Sequence, residues 1–243
     1  MRLAEARSQR LARSGVGMGR RVFDVALAAA GLSALTPLML VIAFAIWVES
    51  GRPIFFSQVR LGQHGRHFRL HKFRKFRQID PVGSLGVTVQ DDDRMTRVGR
   101  LLAWTKLDEL PQFLNIMTGD MSIVGPRPES LAFADCFGER YRAVLDFRPG
   151  IFGPNQVFFR SECSLYPGDT DPEAFYRDVL FPLKARADLA YFPRRTARRD
   201  LAWIVRGVCA VLGFRFPRKQ VPDLVAAVDA WIRQNAGVKQ GGA

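Results

Sequence analysis

The sequence lacks the loops that announce the commoner chemistries. It contains no Walker A loop, no GxGxxG turn, no HExxH pair and no GxSxG elbow. Cysteine is scarce: Cys136, Cys163 and Cys209 are far apart and form no CxxC pair. That sets aside a zinc knot and a disulfide framework and leaves reduced structural thiols. Acidic residues are outnumbered, 23 against 36 Lys and Arg, for a net charge of +13. Such an excess speaks of partners rather than of fold. A nucleic acid, an anionic membrane surface and a phosphate-rich substrate would each suit it.

Charge is also missing locally. From Val25 to Val48 there is none at all. These 24 residues would extend ~36 Å as a helix, enough for a ~30 Å hydrocarbon core. The run is too long for the core of a signal peptide and no cleavage site follows it, so retention is expected. Pro37 interrupts it, with Thr36 and Ser33 placed to bond the carbonyls that a proline frees. Both flanks are basic: Arg20 and Arg21 before, Arg52, Arg60, Arg66, Arg69 and Lys72 after. Basic flanks mark the cytoplasmic side. A re-entrant helix broken at Thr36-Pro37, with two arms of ~18 Å, reconciles two basic ends with one apolar run. A straight transmembrane helix and a buried soluble helix are the rival readings.

The remaining pattern is mixed α+β and mostly helical. Residues 51–77 alternate between Gly and Pro breaks and read as short strands or a hairpin, with KFRKF beginning a helix. Residues 78–95 read as a loop. Residues 97–118 show helical spacing, with Pro111 as a break or a new start. GDMSIVGPRPE reads as a turn, a short apolar run and a Pro-bracketed loop. Residues 129–146 and 172–214 read as helical, the latter interrupted at Pro182 and Pro193. A tail helix over 221–235 carries an apolar stripe. The expected organisation is a basic arm at 1–21, a membrane helix at 22–50, a compact cytosolic catalytic domain at 51–216 with interfacial helices, and a C-terminal amphipathic helix and tail at 217–243.

Several side chains invite chemistry. Asp108 and Glu109 are adjacent carboxylates in TKLDELPQFLN. One could attack phosphorus while the other holds a hard cation, although acidic pairs are also ordinary on solvated helix faces. Lys72, Arg74, Lys75 and Arg77, interleaved with Phe73 and Phe76, form a basic run suited to phosphate, to lipid headgroups or to nucleic acid. Arg127 sits between Pro126 and Pro128, and Arg148 precedes Pro149-Gly150. Rigid backbone beside a guanidinium suits an anion contact. His64, His67 and His71 are close in sequence, but Gly62 and Gly65 argue against a helical metal face. Asp91, Asp92 and Asp93 read as a solvated acidic turn.

In this order, RRVFDVALAAAGLSALTPLML, GRPIFFSQVRLGQHGRHFRLHKFR, DDDRMTRVGRLL, LDELPQFLNIMTGDMSIVGPRPE and RPGIFGPNQV resemble the bacterial sugar transferases, the monotopic polyprenyl-phosphate phosphoglycosyl transferases. The likeness runs from about Arg20 to about Ile204 and is that of a short-form member. It implies that Asp108 is the nucleophile and Glu109 its partner, both near Mg²⁺. It implies that Lys72 and Arg127 face the diphosphate or nucleotide; Arg74 in the basic run and Arg148 before Pro149 are the further substrate-binding candidates. It implies a UDP-sugar donor, an undecaprenyl phosphate acceptor, UMP as product, anionic lipids as partners, and the cytoplasmic face of a bacterial inner membrane. A homodimer stays open, and nucleic acid is not expected. Three positions depart from the family pattern: KFRKF and PGIFG differ in a residue or two, and Ala103 stands where a basic residue is usual, with Lys106 or Arg100 as substitutes. Ala103 motivates the alternative of a catalytically impaired scaffold.

Overall fold

The computed structural model describes residues 2–77, 94–160, 162–166, 171–214 and 216. The predicted tail helix and the Asp91–Asp93 turn lie outside them. The chain opens with one long helix, α1 (Arg2–Ser50), which runs through the expected boundary at residue 21 and has Pro37 inside it. From Gly17 to Ser50 this helix is long and apolar enough to cross a membrane. Beside the proline, the Thr36 hydroxyl donates to the Leu32 carbonyl at 2.6 Å.

One stripe of α1 is docked. Asp24, Ala28, Ile42 and Ile46 are buried, at spacings that return to one side of a helix. The opposite side leaves Val22, Leu40, Val41, Phe44, Trp47 and Val48 exposed. At the beginning of the apolar run, Arg21 donates to the carbonyls of Ile116 (2.6 Å) and Met117 (3.0 Å). Asp24 accepts from the Ser122 hydroxyl (2.5 Å) and the Ile123 amide (3.1 Å). Near its end, Glu49 accepts from the amides of Arg97 (2.7 Å) and Val98 (2.9 Å). Arg74 closes the last turn, donating to Ser50 O and Oγ (both 2.7 Å) and to Gly51 O (2.9 Å). Cations at helix C-termini and anions at N-termini pair with the helix dipole, so the apolar run of α1 is fastened near both of its ends, by Arg21 on one side and by Glu49 and Arg74 on the other, to the same body.

The predicted hairpin is present: β1 (Phe55–Leu61) pairs antiparallel with β2 (His67–Phe73), from Phe55↔Phe73 to Leu61↔His67. KFRKF does not start a helix. The chain stays extended past β2 because the Thr96 amide donates to the Lys75 carbonyl and the Arg77 amide to the Arg94 carbonyl, both at 3.0 Å. The expected single helix over 97–118 is two: α2 (Arg97–Thr105) and α3 (Gln112–Thr118). Thr96 caps α2 by accepting from the Gly99 amide. Lys106 ends it in the left-handed conformation (φ 65°). Pro111 then starts α3, where its missing N–H costs nothing.

A short β3 (Ser122–Val124) pairs in parallel with β4 (Gly150–Phe152). Between them residues 131–146 are not one helix but 3₁₀ turns around a four-residue α4 (Gly138–Tyr141); Phe133 leaves helical geometry and Gly138 has positive φ. Then come α5 (Pro154–Phe158), α6 (Pro172–Phe175), a π-helical stretch (Tyr176–Leu180), α7 (Phe181–Tyr191) and α8 (Ala197–Val211). Pro182 does not interrupt, because it falls in the first turn of α7 and the π-helical stretch leads into it. Pro193 does: it opens a 3₁₀ turn before α8. The main core joins Leu70, Ile123, Phe133, Phe175, Leu180, Phe192 and Trp203 with Ala28 of α1; a smaller one joins Ile42 and Ile46 to Phe73 and Leu102.

Asp24→Ala should lower stability by about 1–3 kcal/mol, because it strands a buried amide and a buried hydroxyl. Thermal unfolding of the purified protein against wild type measures this.

Candidate active site

The two carboxylates are not on a helix face. They lie in a 3₁₀ turn, Leu107–Glu109, between α2 and α3. Left-handed Lys106 turns the chain, and Leu107 and Leu110 pack against the smaller core. The acidic side chains are therefore driven inward: Asp108 is 1% exposed and Glu109 8%.

Three segments surround them. From β2, the Lys72 ammonium donates to Glu109 Oε1 at 3.1 Å. From the loop after β3, Arg127 Nη2 donates to the same oxygen at 3.1 Å. Just past β2, Lys75 Nζ stands 3.2 Å from Asp108 Oδ2. The two acids are thus treated differently. Glu109 is held by two cations, whereas neither oxygen of buried Asp108 accepts a hydrogen bond.

Backbone supports keep these segments in place. Asn115 of α3 mimics a strand edge: its Oδ1 accepts from the His71 amide (3.1 Å) and its Nδ2 donates to the Arg69 carbonyl (2.7 Å). This fixes β2, and with it Lys72, against the helix that follows the acidic turn. The Arg127 loop is pressed onto the chain before β4. A Cβ on Gly125 would lie 2.2 Å from the Arg148 carbonyl oxygen, and one on Gly150 2.1 Å from the Gly125 nitrogen, so only glycine permits the approach. Gln156 Nε2 donates to the carbonyls of both glycines, at 3.1 and 2.9 Å.

Behind Arg127 is a buried network. Lys184 Nζ lies 3.0 Å from Glu162 and 3.5 Å from Glu129 and donates to the Tyr176 hydroxyl at 2.8 Å. Tyr176 in turn donates to Glu129 Oε2 at 2.6 Å. The charges of Glu109, Glu162 and Glu129 all favour the Arg127 guanidinium and raise its pKa despite burial.

Burial disfavours the charge on Glu109, but Lys72, Arg127 and Lys106 outweigh it and hold the carboxyl well below the usual range. Burial pulls the Lys72 ammonium down to about 8, against the opposing attraction of Glu109 and Asp108. Burial also lowers Lys106, with Glu109 and Asp108 nearby to offset it.

Of the residues expected from sequence, Asp108, Glu109, Lys72 and Arg127 come together. Arg74 does not join them. It is buried and committed to the C-terminus of α1, so its place in the basic run reflects helix docking rather than substrate contact. Arg148 supplies the carbonyl against Gly125, and no ion pair ties its guanidinium to the carboxylates among the described residues. The histidines form no metal cluster among the described residues: His71 Nδ1 lies 2.9 Å from the Ser57 hydroxyl and His64 faces Asp146. Of the two substitutes considered for Ala103, Lys106 is coupled to Glu109 and Asp108, while Arg100 is exposed. Sequence reasoning missed Arg160, whose Nη2 donates to the Trp104 carbonyl at 2.8 Å; burial lowers its pKa, and the charges of Glu109 and Asp108 offset this only in part. Nothing local marks it, because it reaches the turn from more than 50 residues downstream.

The sequence profile of the bacterial sugar transferases matches residues 16–214. The chain is 36% identical over 205 residues to a UDP-glucose:undecaprenyl-phosphate glucose-1-phosphate transferase of Caulobacter vibrioides, covering 83% of this chain and 73% of that protein. It is 37% identical over 173 residues to the Escherichia coli protein of the same name, covering 68% of this chain and 35% of the other. It is 40% identical over 143 residues to a UDP-N-acetylgalactosamine-undecaprenyl-phosphate N-acetylgalactosaminephosphotransferase of Aeromonas hydrophila, covering 57% and 33%. The chain thus spans about a third of the latter two. It belongs to the bacterial sugar transferase family and is an enzyme of that class.

Lys72 loses its proton as pH rises through about 8 and can then no longer pair with Glu109 or an anionic substrate. Transferase activity should therefore decline above pH 8. Lys72→Arg, which keeps its charge, should move that decline to higher pH in a rate–pH profile.

Proposed function

We propose that the enzyme moves a sugar-1-phosphate from a UDP-sugar to undecaprenyl phosphate, releasing UMP, through a covalent phosphosugar on Asp108. The relatives' names supply the substrate class. The observation that carries the chemistry is the asymmetry of the acidic pair: Glu109 is bound by Lys72 and Arg127, while the Asp108 oxygens, buried and without hydrogen bonds, are left to react.

In the first step an Asp108 oxygen forms a bond to the β-phosphorus of the donor, and the bond from that phosphorus to the UMP oxygen breaks. In the second, an oxygen of the lipid phosphate attacks the same phosphorus and the bond to Asp108 breaks, restoring the carboxylate. The sugar C1–O bond is untouched in both. Lys75, beside Asp108, steadies the attacking carboxylate. Lys72 and Arg127, already oriented by Glu109, present charge to phosphoryl oxygens without reorganising, which is where most of the rate gain in such transfers lies.

Mg²⁺ fits this donor set. Carboxylate oxygens are hard ligands, those of Asp108 are free of hydrogen bonds, and Mg²⁺ ordinarily takes one or two carboxylates and completes its shell with water and phosphate. Asp108 and Glu109 would hold it, and when bound it supplies charge screening for the diphosphate. The scaffold alternative, which rests on Ala103, loses ground to Lys106 and Arg160, which bring cationic charge to the acidic pair.

The site would sit at a membrane. The outer face of α1 is apolar, and α8 turns Leu201, Val205, Val208 and Leu212 outward while burying Asp200 and Trp203. That arrangement suits an interfacial helix. Because Arg21 and Glu49, near opposite ends of the apolar run, both dock to one body, α1 reads as re-entrant at Pro37, with both ends cytoplasmic.

Asp108→Asn and Asp108→Ala should cut UMP release by about a thousandfold or more. Wild type exposed to a UDP-sugar without acceptor should gain one sugar-phosphate mass in intact-protein mass spectrometry. Release of UMP by Asp108→Ala at the wild-type rate refutes the mechanism. For topology, single cysteines at Met18 and Arg52 in a cysteine-free background should label from the same side of the membrane; labelling from opposite sides refutes the re-entrant helix.

A further inference from the structure

Beside the acidic pair lies a shallow hollow, open to solvent and lined by Arg60, Leu70, Lys72, Gln112, Arg127 and Pro128. Its charge is lopsided. Lys72 and Arg127 both lean on Glu109, but Arg60 forms no ion pair among the described residues. The Arg60 Nη2 donates to Gln58 Oε1 at 2.7 Å, while its Nε is sealed from solvent and meets no acceptor.

The position of Arg60 is set by the fold. The Leu61 amide donates to the Glu129 carbonyl at 3.0 Å, and Arg60 forms a bridge with Ser130, so the end of β1 is stitched to the segment carrying Arg127. Burial depresses the Arg60 charge; Glu129 partly offsets this, and like-charged Arg127 adds to the depression. A guanidinium with an unpaired, sealed N–H, crowded by a second guanidinium, is unfavourable until an anion with several acceptor oxygens arrives. The planar fork of arginine matches a phosphate in this way.

Resting on the two-step transfer above, we propose that Arg60 and Gln112 form, with Arg127, a single phosphate subsite that holds the departing nucleotide phosphate in the first step and the incoming lipid phosphate in the second. In-line displacement requires the leaving group to depart opposite Asp108. In the second step Asp108 is itself the leaving group, so the lipid phosphate must enter from the face that UMP vacated. One cationic hollow next to the acidic pair can therefore serve both phosphates in turn, and the order of the two steps keeps them from competing.

The test is direct binding to the full-length protein in detergent, using UMP and a short-chain polyprenyl phosphate as probes. In wild type each probe should exclude the other. Arg60→Gln should weaken both about tenfold, with Arg60→Lys in between. Because the substitution removes a cation with an unpaired donor, the melting temperature should hold or rise, whereas a purely structural arginine would lower it. Simultaneous binding of the two probes to wild type overturns the proposal whatever the variants do. So does a change within twofold for either probe in a folded Arg60→Gln protein. Failure of wild type to release UMP from any UDP-sugar would instead count against the transferase mechanism and leave the binding result to judge the subsite.

Discussion

The site is organised by one oxygen atom. Glu109 Oε1 accepts from Lys72 and from Arg127, each at 3.1 Å, and these cations come from segments far apart in the chain. Burying one carboxylate among several cations is costly unless the geometry is close, and such arrangements are weak sources of stability. The fold therefore supplies the geometry by other means. Asn115 ties β2 to α3, Gly125 and Gly150 bring the Arg127 loop against the chain before β4, and the Lys184 network anchors that loop from behind. Glu109 is the point at which these supports converge, and its carboxylate holds the two cations together.

Asp108 has the opposite situation. It is as buried as its neighbour, yet its oxygens make no hydrogen bond and a single ammonium faces it. The two adjacent acids differ in their partners: Lys75 reaches Asp108, whereas Lys72 and Arg127 reach Glu109. A carboxylate saturated with hydrogen bonds is a poor nucleophile, and a free one in a protected site is a good one.

The long helix is mechanically continuous with the acidic turn. Glu49 binds the first amides of α2, and α2 ends at Lys106, one residue before the acidic turn begins. Arg74, one residue before Lys75, grips the last carbonyls of α1. Arg74 shows how a basic run can divide its labour: neighbouring residues in one motif dock a helix and pair with the acidic turn.

Much was legible in the chain itself. The uncharged run, the hairpin breaks at Gly62 and Gly65, the proline punctuation at Pro111, and the acidic pair in a basic protein are local signals. Local backbone preference and hydrophobic spacing express them without help from distant residues. The helix predicted over 129–146 failed because kinks at Phe133 and Gly138 follow packing rather than periodicity. KFRKF failed as a helix because its backbone pairs with residues 94–96, a partnership that spacing along the chain cannot reveal. The roles of Arg74, Arg148, Lys75, Arg160 and Arg60 were likewise decided only in three dimensions. Every arginine and lysine carries the same charge in a sequence, but the partner that each one meets depends on which segments the core draws together, and electrostatic interaction falls off over a few ångströms of that arrangement rather than over positions in the chain.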